Sequence, residues 1–298
     1  MHKIKDILLN TKPTFSFEFF PPKTEEAERK FKLSLLDLKR LKPDFVSITY
    51  GAGGSTKEKT EALVIEIQNQ DLLVSMAHLT CIGSSKEEIG FLLNQYKKAN
   101  IQNIMALRGD LPKNKDIHLV NDFRYAYELI QWIKLQYNDF FSIGAACYPE
   151  KHPEAKTLKE DIEYLKLKVD SGADFLITQL FYDNDKFYLF RDMARKMGIH
   201  VPIIAGIMPI TNYQQIQKFT QMVQCHIPKN LEKLIEKYKD SQEDLLKVSI
   251  EYSIQQCEDL INNDIDGIHF YTLNQSNATY LILSELKKIY QKNLNLYE

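Results

Sequence analysis

The 298-residue sequence lacks the usual marks of secreted, membrane-bound and nucleic-acid-binding proteins. Its four cysteines are widely spaced and form no C-x-x-C pair, which argues against a disulfide framework or a zinc site. No apolar run approaches the length of a membrane span, and the first ten residues contain no apolar signal-peptide core. A net charge of −2 gives no reason to expect nucleic acid or an anionic membrane as partner. We therefore expect a cytoplasmic globular protein without a bound metal.

The sequence also has no low-complexity linker and no shift in composition, so we expect a single domain over residues 1–298. Short apolar segments typical of strands alternate with amphipathic segments typical of helices. Eight such strands are predicted: Phe15–Phe19, Phe45–Thr49, Leu73–Leu79, Asn103–Leu107, Phe141–Cys147, Phe175–Leu180, Pro202–Ile207 and Gly267–Thr272.

Eight β/α alternations, with strands apolar enough to be buried on both faces, predict an α/β fold of the (β/α)8 TIM-barrel type. A doubly wound sheet is the rival, but it usually carries G-x-G-x-x-G after the first strand, where this chain has Phe20-Pro21-Pro22-Lys23. The segment 225–263 exceeds a single helix and predicts extra helices before the eighth strand. Its lysine-rich part, 229–239, is typical of a solvated helical face.

The first strand carries a carboxylate, Glu18, within a run of phenylalanines. Strand alternation places Phe15, Phe17 and Phe19 on one face and Glu18 on the other. We expect this carboxylate to be desolvated, which favours the neutral acid that can hand over a proton near neutral pH. A structural glutamate paired with a buried arginine explains the segment equally well.

Polar residues recur at the C-terminal ends of the predicted strands, where barrel enzymes carry their chemistry. The Arg108 guanidinium suits a phosphate, or it forms a local pair with Asp110. His78, taken alone, is more typical of a core residue than of a ligand. Asp161 and Lys168 share a helix face, either as a solvated pair or as contacts to a cofactor. The full set is Glu18, Thr49, Tyr50, His78, Arg108, Asp110, Tyr148, His152, Gln179, Gly206 and Tyr271.

A glycine-rich loop, 51–54, follows the second strand and fits either a tight turn or a close approach to an anionic ligand. With this loop, the strand-end segments resemble those of the methylenetetrahydrofolate reductase family over nearly the whole chain. The matching segments are Phe17–Lys23, Thr49–Ser55, Leu107–Asp110, Tyr148–Glu150 with His152–Ala155, Thr178–Gln179, Gly206–Pro209 and His269–Asn274.

The resemblance implies a flavin-dependent barrel in which NAD(P)H reduces FAD, and methylenetetrahydrofolate then receives the hydride to give methyltetrahydrofolate for methionine synthesis. Glu18 matches the acid that protonates the pterin, so that its five-membered ring opens to an iminium. Asp110 is expected to hydrogen-bond the pterin and to tune the flavin by its charge. Gln179 is expected to contact both substrates. Phe219 would stack on nicotinamide or folate, with Gln215 one helical turn earlier.

The resemblance also implies which residues bind FAD. Arg108 would hold the phosphates, and Lys168 would place a cation beside the flavin pyrimidine. The matching positions are Thr49, Tyr50, Ala52, His78, Arg108, Gly109, Asp110, Ala126, Tyr148, His152, Ala155, Asp161 and Lys168.

Three positions depart from the family pattern. Gln275 stands where an arginine would meet the folate glutamate tail, and Tyr164 and Leu167 replace polar residues expected near FAD. The short bacterial type implies a preference for NADH and a homo-oligomer. Because the sequence stops at Glu298, we expect no regulatory domain that binds S-adenosylmethionine. Two rivals stay open: another FAD barrel of the proline dehydrogenase kind, and a non-redox folate-binding barrel that serves methyl transfer.

Overall fold

The structure is a computed structural model that describes residues 3–49, 57–110 and 122–294. Its strands are parallel and form a closed barrel in chain order, with β1 paired to both β2 and β8. This confirms the (β/α)8 prediction and excludes the doubly wound sheet. The strands are β1 (Thr14–Phe19), β2 (Phe45–Ile48), β3 (Ser75–Thr80), β4 (Asn103–Leu107), β5 (Ser142–Cys147), β6 (Phe175–Thr178), β7 (Ile203–Ile207) and β8 (Gly267–Tyr271).

Helices surround the barrel, and the segment before β8 contains the predicted additional ones. Helix α10 contacts both α7 and α11 and so completes the outer ring, whereas α8 and α9 are the additions. On α9 Leu231 and Ile235 are buried and the lysines are exposed, which confirms the solvated face. The helices are α1 (Ile4–Asn10), α2 (Glu25–Lys39), α3 (Lys57–Gln70), α4 (Lys86–Lys98), α5 (Ala126–Tyr137), α6 (Leu158–Asp170), α7 (Asn184–Lys196), α8 (Tyr213–Val223), α9 (Lys229–Tyr238), α10 (Gln242–Asn262) and α11 (Asn277–Leu294).

Side-chain alternation along each strand separates two cores. On β1, Phe17 and Phe19 point outward and pack in the layer between strands and helices, where Phe19 meets Phe31 edge to face with ring centroids 5.4 Å apart. The interior of the barrel is filled by a second cluster that includes Phe45 and Phe175. Burial on both faces is why the strands read as nearly continuous apolar runs.

Helix α1 closes the N-terminal end of the barrel. Ile4 and Leu8 belong to the interior cluster. The Ile4 N–H donates to Asn103 Oδ1 at 2.8 Å and the Lys5 N–H donates to Ser142 Oγ at 3.1 Å, so the first turn of α1 is tied to the first residues of β4 and β5. Within the described residues, the N-terminal end of the barrel is therefore covered by α1, which leaves the C-terminal end for a ligand.

None of the helices within residues 3–49, 57–110 and 122–294 is both long enough and apolar enough to cross a bilayer.

Candidate active site

Glu18 lies on the interior face of β1, at the C-terminal end of the barrel. Its carboxyl oxygen Oε2 is 3.5 Å from His78 Nε2 and 3.8 Å from His269 Nε2, and the side chain is 20% exposed. The prediction that Glu18 and the phenylalanines lie on opposite faces of the strand is confirmed. The alternative of a buried Glu–Arg pair was wrong, since the groups nearest the carboxyl group are two imidazoles.

His78 is not a hydrogen-bonded core residue. It is nearly buried, and its Nε2 has no hydrogen-bond partner among the described residues, although the Glu18 carboxyl group lies close by. Burial lowers the pKa of His78, against the opposing effect of Glu18, so the imidazole is neutral at pH 7. A neutral ring with an unpartnered nitrogen at the barrel mouth is suited to meet a ligand.

His269 is held from both sides by serine hydroxyl groups. Its Nδ1 is 2.7 Å from Ser16 Oγ, and its Nε2 is 3.1 Å from Ser47 Oγ. The ring stacks on Phe45 with centroids 5.8 Å apart and is completely buried. These contacts fix the orientation of the imidazole beside Glu18.

Tyr271 spans the barrel mouth from β8 to β6. Its hydroxyl donates to the Thr178 carbonyl at 2.6 Å, and its ring passes over Gly206 on β7. A Cβ at Gly206 would lie 2.3 Å from the Thr178 oxygen, so only glycine fits beneath the ring. Burial raises the pKa of Tyr271 well above its usual range, so this floor of the site is uncharged at neutral pH.

Arg108 pairs with Glu154, which belongs to the loop after the neighbouring strand β5. Its Nη1 and Nη2 donate to the two carboxylate oxygens, both at 2.7 Å, which raises the pKa of Arg108 and lowers that of Glu154. The alternative of a local pair with Asp110 was therefore wrong, although the exposed Asp110 adds negative charge near Arg108. Gly109 has φ +86°, a conformation that favours glycine.

The loop after β5 and helix α6 bring four predicted residues together. The Tyr148 ring meets His152 edge to face at 4.8 Å, and the His152 N–H donates to Asp161 Oδ2 at 3.0 Å. Lys168 Nζ donates to the Ala146 carbonyl of β5 at 2.7 Å. Burial raises the pKa of Asp161 and lowers that of Lys168, so the alternative of a solvated surface pair was wrong.

Two alanines predicted to bind the cofactor are buried. Ala126 is the first residue of α5, and Ala155 lies in the loop that carries His152. The Ala155 carbonyl accepts a hydrogen bond from Lys151 Nζ at 2.9 Å, which ties the loop down.

Three of the predicted substrate contacts, Gln179, Gln215 and Phe219, follow the next two strands, β6 and β7. Gln179 directly follows β6, and its Oε1 accepts from the Leu180 N–H at 2.9 Å. Gln215 and Phe219 both lie on α8, one turn apart as predicted, and Gln215 Oε1 accepts from Thr211 Oγ1 at 3.1 Å. Phe219 is half-buried against the apolar cluster beneath α8.

Some of the remaining predicted positions lie within the residues that the structure describes, and others do not. Thr49 is half-buried, and its N–H donates to the Phe19 carbonyl at 2.8 Å. Tyr50, Ala52 and the rest of the glycine loop lie outside the described residues. The three departures, Tyr164, Leu167 and Gln275, are all exposed.

Sequence reasoning missed three residues of this site: Ser47, Glu154 and His269. Alternation along β8 would have placed His269 on the same face as Tyr271. No signal in the sequence pairs Glu154 with Arg108. Among the residues that the structure describes, no three His, Cys, Asp or Glu side chains are grouped to hold a metal ion.

The family model described as methylenetetrahydrofolate reductase matches residues 3–287. A solved structure from Clostridium thermocellum, an uncharacterised protein that binds two copies of 5-methyl-5,6,7,8-tetrahydrofolic acid, has a similar fold. Its TM-score is 0.63 at 16% sequence identity, over 96% of this chain and 98% of that one.

Two curated relatives illustrate how much of each protein is matched. The probable methylenetetrahydrofolate reductase (NADH) of Oryza sativa subsp. japonica is 37% identical over 99% of this chain. This chain spans about half of that relative's length, 52%. The 5,10-methylenetetrahydrofolate reductase of Escherichia coli (strain K12) is 37% identical over 91% of this chain and 90% of its own length. The chain belongs to the methylenetetrahydrofolate reductase family.

Proposed function

We propose that the protein is a flavin-dependent methylenetetrahydrofolate reductase. In the proposed reaction NAD(P)H reduces FAD, leaves, and is replaced by 5,10-methylenetetrahydrofolate, which is reduced to 5-methyltetrahydrofolate. One observation carries this proposal within the family: a carboxyl group, Glu18, stands on the barrel interior between two imidazoles at the open end. A proton donor placed there suits a substrate whose ring must be protonated before it opens.

The side of the mouth that carries Arg108 and Lys168 supports the proposal of FAD as the cofactor. FAD, when bound, accepts a hydride from the nicotinamide and delivers it to the folate. Arg108 Nη1 and Nη2 each donate one N–H to Glu154, so the guanidinium would offer its remaining N–H groups to a phosphate, which the backbone at Gly109 can approach closely. Lys168, held by its hydrogen bond to the Ala146 carbonyl, would supply a cation to stabilise the negative charge that gathers on a reduced flavin pyrimidine. The unpartnered His78 Nε2 is a further group for the cofactor.

The other predicted FAD contacts stay proposals. Asp161 would bind the ribityl chain, and Thr49 would lie near flavin and nicotinamide. The remaining positions are Tyr50, Ala52, Asp110, Ala126, Tyr148, His152 and Ala155.

Glu18 has the proton-transfer role in the folate step. We assign the proton to its carboxyl group before folate reduction, and the protonated Glu18 gives it to the ring nitrogen that leaves the bridging carbon. The bond between that nitrogen and carbon breaks, the carbon accepts the hydride, and Glu18 is left as the carboxylate. Because burial raises the pKa of Tyr271, its hydroxyl is a poor proton donor, which supports Glu18 as the proposed acid.

Folate and nicotinamide would use the same side of the mouth in turn. Asp110 would bind the pterin, Gln179 would contact both substrates, and Phe219 would stack on whichever is bound, beside Gln215. With Gln275 in place of an arginine, we propose that the folate glutamate tail finds its cation elsewhere. We also propose NADH as the donor and a homo-oligomeric assembly.

Product analysis tests the proposal. Purified protein reconstituted with FAD is incubated with NADH and methylenetetrahydrofolate, and 5-methyltetrahydrofolate is measured by mass spectrometry. Protein-dependent product that requires both FAD and NADH would support the reductase. FAD that L-proline reduces, without product from folate, would favour the proline dehydrogenase kind. Folate binding by protein that takes up no flavin would favour a non-redox barrel.

A further inference from the structure

Helix α10, in the outer ring, carries a polar face formed by Ser249, Tyr252 and Gln256. These residues are spaced three and four positions apart, so their side chains lie on one side of the helix. Ser249 is only 2% exposed and Gln256 only 6%. Buried polar side chains need hydrogen-bond partners, and the partners of this face lie at the mouth of the barrel rather than within α10.

Two side chains of the polar face hold residues 180–182, the segment that follows β6. Gln256 Nε2 donates to the Phe181 carbonyl at 3.0 Å, and the Tyr252 hydroxyl donates to the Tyr182 carbonyl. Burial raises the pKa of Tyr252 to about 12, so this hydroxyl keeps the proton that it donates at neutral pH. Because the segment lies beyond the last residue of β6, these carbonyls are bound by α10 and not by the sheet.

The third side chain holds residues 208–210, the segment that follows β7. Ser249 Oγ accepts a hydrogen bond from the Ile210 N–H at 2.7 Å. Tyr182 also reaches this segment, since its hydroxyl donates to the Met208 carbonyl at 3.1 Å. The polar face and the two segments are therefore joined into one hydrogen-bonded unit.

The segment after β6 begins beside a proposed substrate contact. Gln179 immediately precedes residues 180–182, and its Oε1 accepts from the Leu180 N–H at 2.9 Å. A shift of this segment would therefore move the Gln179 side chain as well as its backbone.

The segment after β7 leads directly into α8. Ile210 is followed by Thr211, whose hydroxyl donates to Gln215 Oε1 at 3.1 Å. Next comes Asn212, the N-cap of α8, whose side chain accepts from the Gln215 N–H at 3.0 Å. The position of Ile210 therefore determines where the first turn of α8 lies, and with it Gln215 and, one turn later, Phe219.

We propose that the polar face of α10 sets the spacing between Gln179 and α8, and that its three residues are positioning residues for substrate binding. This inference rests on the proposed function, in which Gln179 and two residues of α8 contact nicotinamide and folate. The three residues act through the backbone of the two segments, and we assign them no contact with a substrate.

The proposed FAD contacts are held by other elements. Arg108 is paired with Glu154, and Lys168 donates to the Ala146 carbonyl. Within the part of the chain that the structure describes, the polar face makes no hydrogen bond to these groups. Loss of a contact from the polar face should therefore weaken substrate binding and leave FAD binding unchanged. A face that served only general stability would change the two alike or change neither.

Tyr252→Phe tests the contact to the segment after β6, because it keeps the ring and removes only the hydroxyl. We expect the half-saturating concentrations of NADH in flavin reduction and of methylenetetrahydrofolate in flavin reoxidation to rise about threefold or more. The dissociation constant of FAD, measured by fluorescence titration, should keep its wild-type value. Tyr188→Phe is the matched control. Its hydroxyl donates to Asp259 Oδ2 of the same helix at 2.6 Å, outside the polar face, so all three constants should stay at wild-type values.

Ser249→Ala tests the contact to the segment after β7, because it removes the acceptor of the Ile210 N–H. We expect the same pattern, with weaker binding of both substrates and unchanged binding of FAD. The control is Ser253→Ala, a buried serine one turn along α10 whose hydroxyl binds neither segment. Unchanged half-saturating concentrations in both Tyr252→Phe and Ser249→Ala would overturn the proposal. A rise in the dissociation constant of FAD equal to the rise for the substrates would overturn it too.

Amide hydrogen exchange in the wild-type protein gives a test that needs no variant. We expect the Ile210 amide, followed by NMR, to exchange as slowly as the amides of β7, since its acceptor is buried. Exchange as fast as in an unstructured peptide would overturn the proposal even if the variants do not fold. Failure of the wild-type protein to reduce methylenetetrahydrofolate would instead count against the proposed function, so the two failures are distinguishable.

Discussion

Arg108 and Glu154 form a doubly hydrogen-bonded ion pair at the barrel mouth, with both nitrogen–oxygen distances at 2.7 Å. Arg108 directly follows β4, and Glu154 belongs to the loop after β5. Glu154 is 60% exposed, so the pair is open to solvent and contributes little to stability. Its main consequence is geometric, because it fixes the plane of the guanidinium at the place where a phosphate is proposed to bind.

Replacing Arg108 by lysine tests the phosphate role. Lysine keeps the charge but not the planar fork, so we expect the dissociation constant of FAD to rise about tenfold. This rise corresponds to a loss of about 1.4 kcal/mol in binding free energy. Fluorescence titration of apoprotein with FAD measures this constant. Arg29→Lys, on the exposed face of α2, is the matched control. An unchanged constant in Arg108→Lys would exclude a fork-specific contact.

Glu18→Gln separates the two half-reactions. The amide cannot act as an acid, so we expect NADH still to bleach the bound flavin, whereas methylenetetrahydrofolate reduction falls by about 10²–10⁴-fold. Stopped-flow absorbance measures both steps. Glu28→Gln, at an exposed position on α2, serves as the control and should keep both rates. Full folate activity in Glu18→Gln would refute the proton-donor role.

Asp110→Asn tests the charge near the flavin. Loss of a negative charge favours the reduced, anionic flavin, so we expect the flavin midpoint potential to rise on the order of tens of millivolts and folate binding to weaken. Equilibration with a reference dye measures the potential. Asp240→Asn, exposed in the turn after α9, should leave it unchanged. A potential that does not move in Asp110→Asn would place this carboxylate too far from the flavin to matter.

Two glycines give a matched test of the barrel mouth. A Cβ at Gly206 would meet the Thr178 oxygen at 2.3 Å and the Tyr271 ring at 2.6 Å, so Gly206→Ala should lower the free energy of unfolding by about 3 kcal/mol or more. A Cβ at Gly90 on α4 would lie 3.4 Å from the nearest atom, on Trp132, which is an ordinary contact. Gly90→Ala should therefore raise the free energy of unfolding by about 0.5–1 kcal/mol. Denaturant unfolding measures both changes. Equal free energies of unfolding for Gly206→Ala and Gly90→Ala would contradict the close packing of Tyr271 over Gly206.

The strands could be predicted from sequence because alternation and burial on both faces are local properties of the chain. The same alternation correctly separated the Glu18 face of β1 from the phenylalanine face. It could not predict which groups face Glu18, since His78 and His269 come from β3 and β8 and meet it only when the barrel closes. The partner of Arg108 was missed for the same reason, because Glu154 belongs to another loop.

An anaerobic spectral titration tests the central claim most directly. Protein reconstituted with FAD is reduced with one equivalent of NADH, and methylenetetrahydrofolate is then added while the flavin absorbance is recorded. The account predicts that the flavin band bleaches with NADH and returns with the folate. A flavin that NADH bleaches but methylenetetrahydrofolate does not reoxidise, or a protein that takes up no FAD, would contradict it.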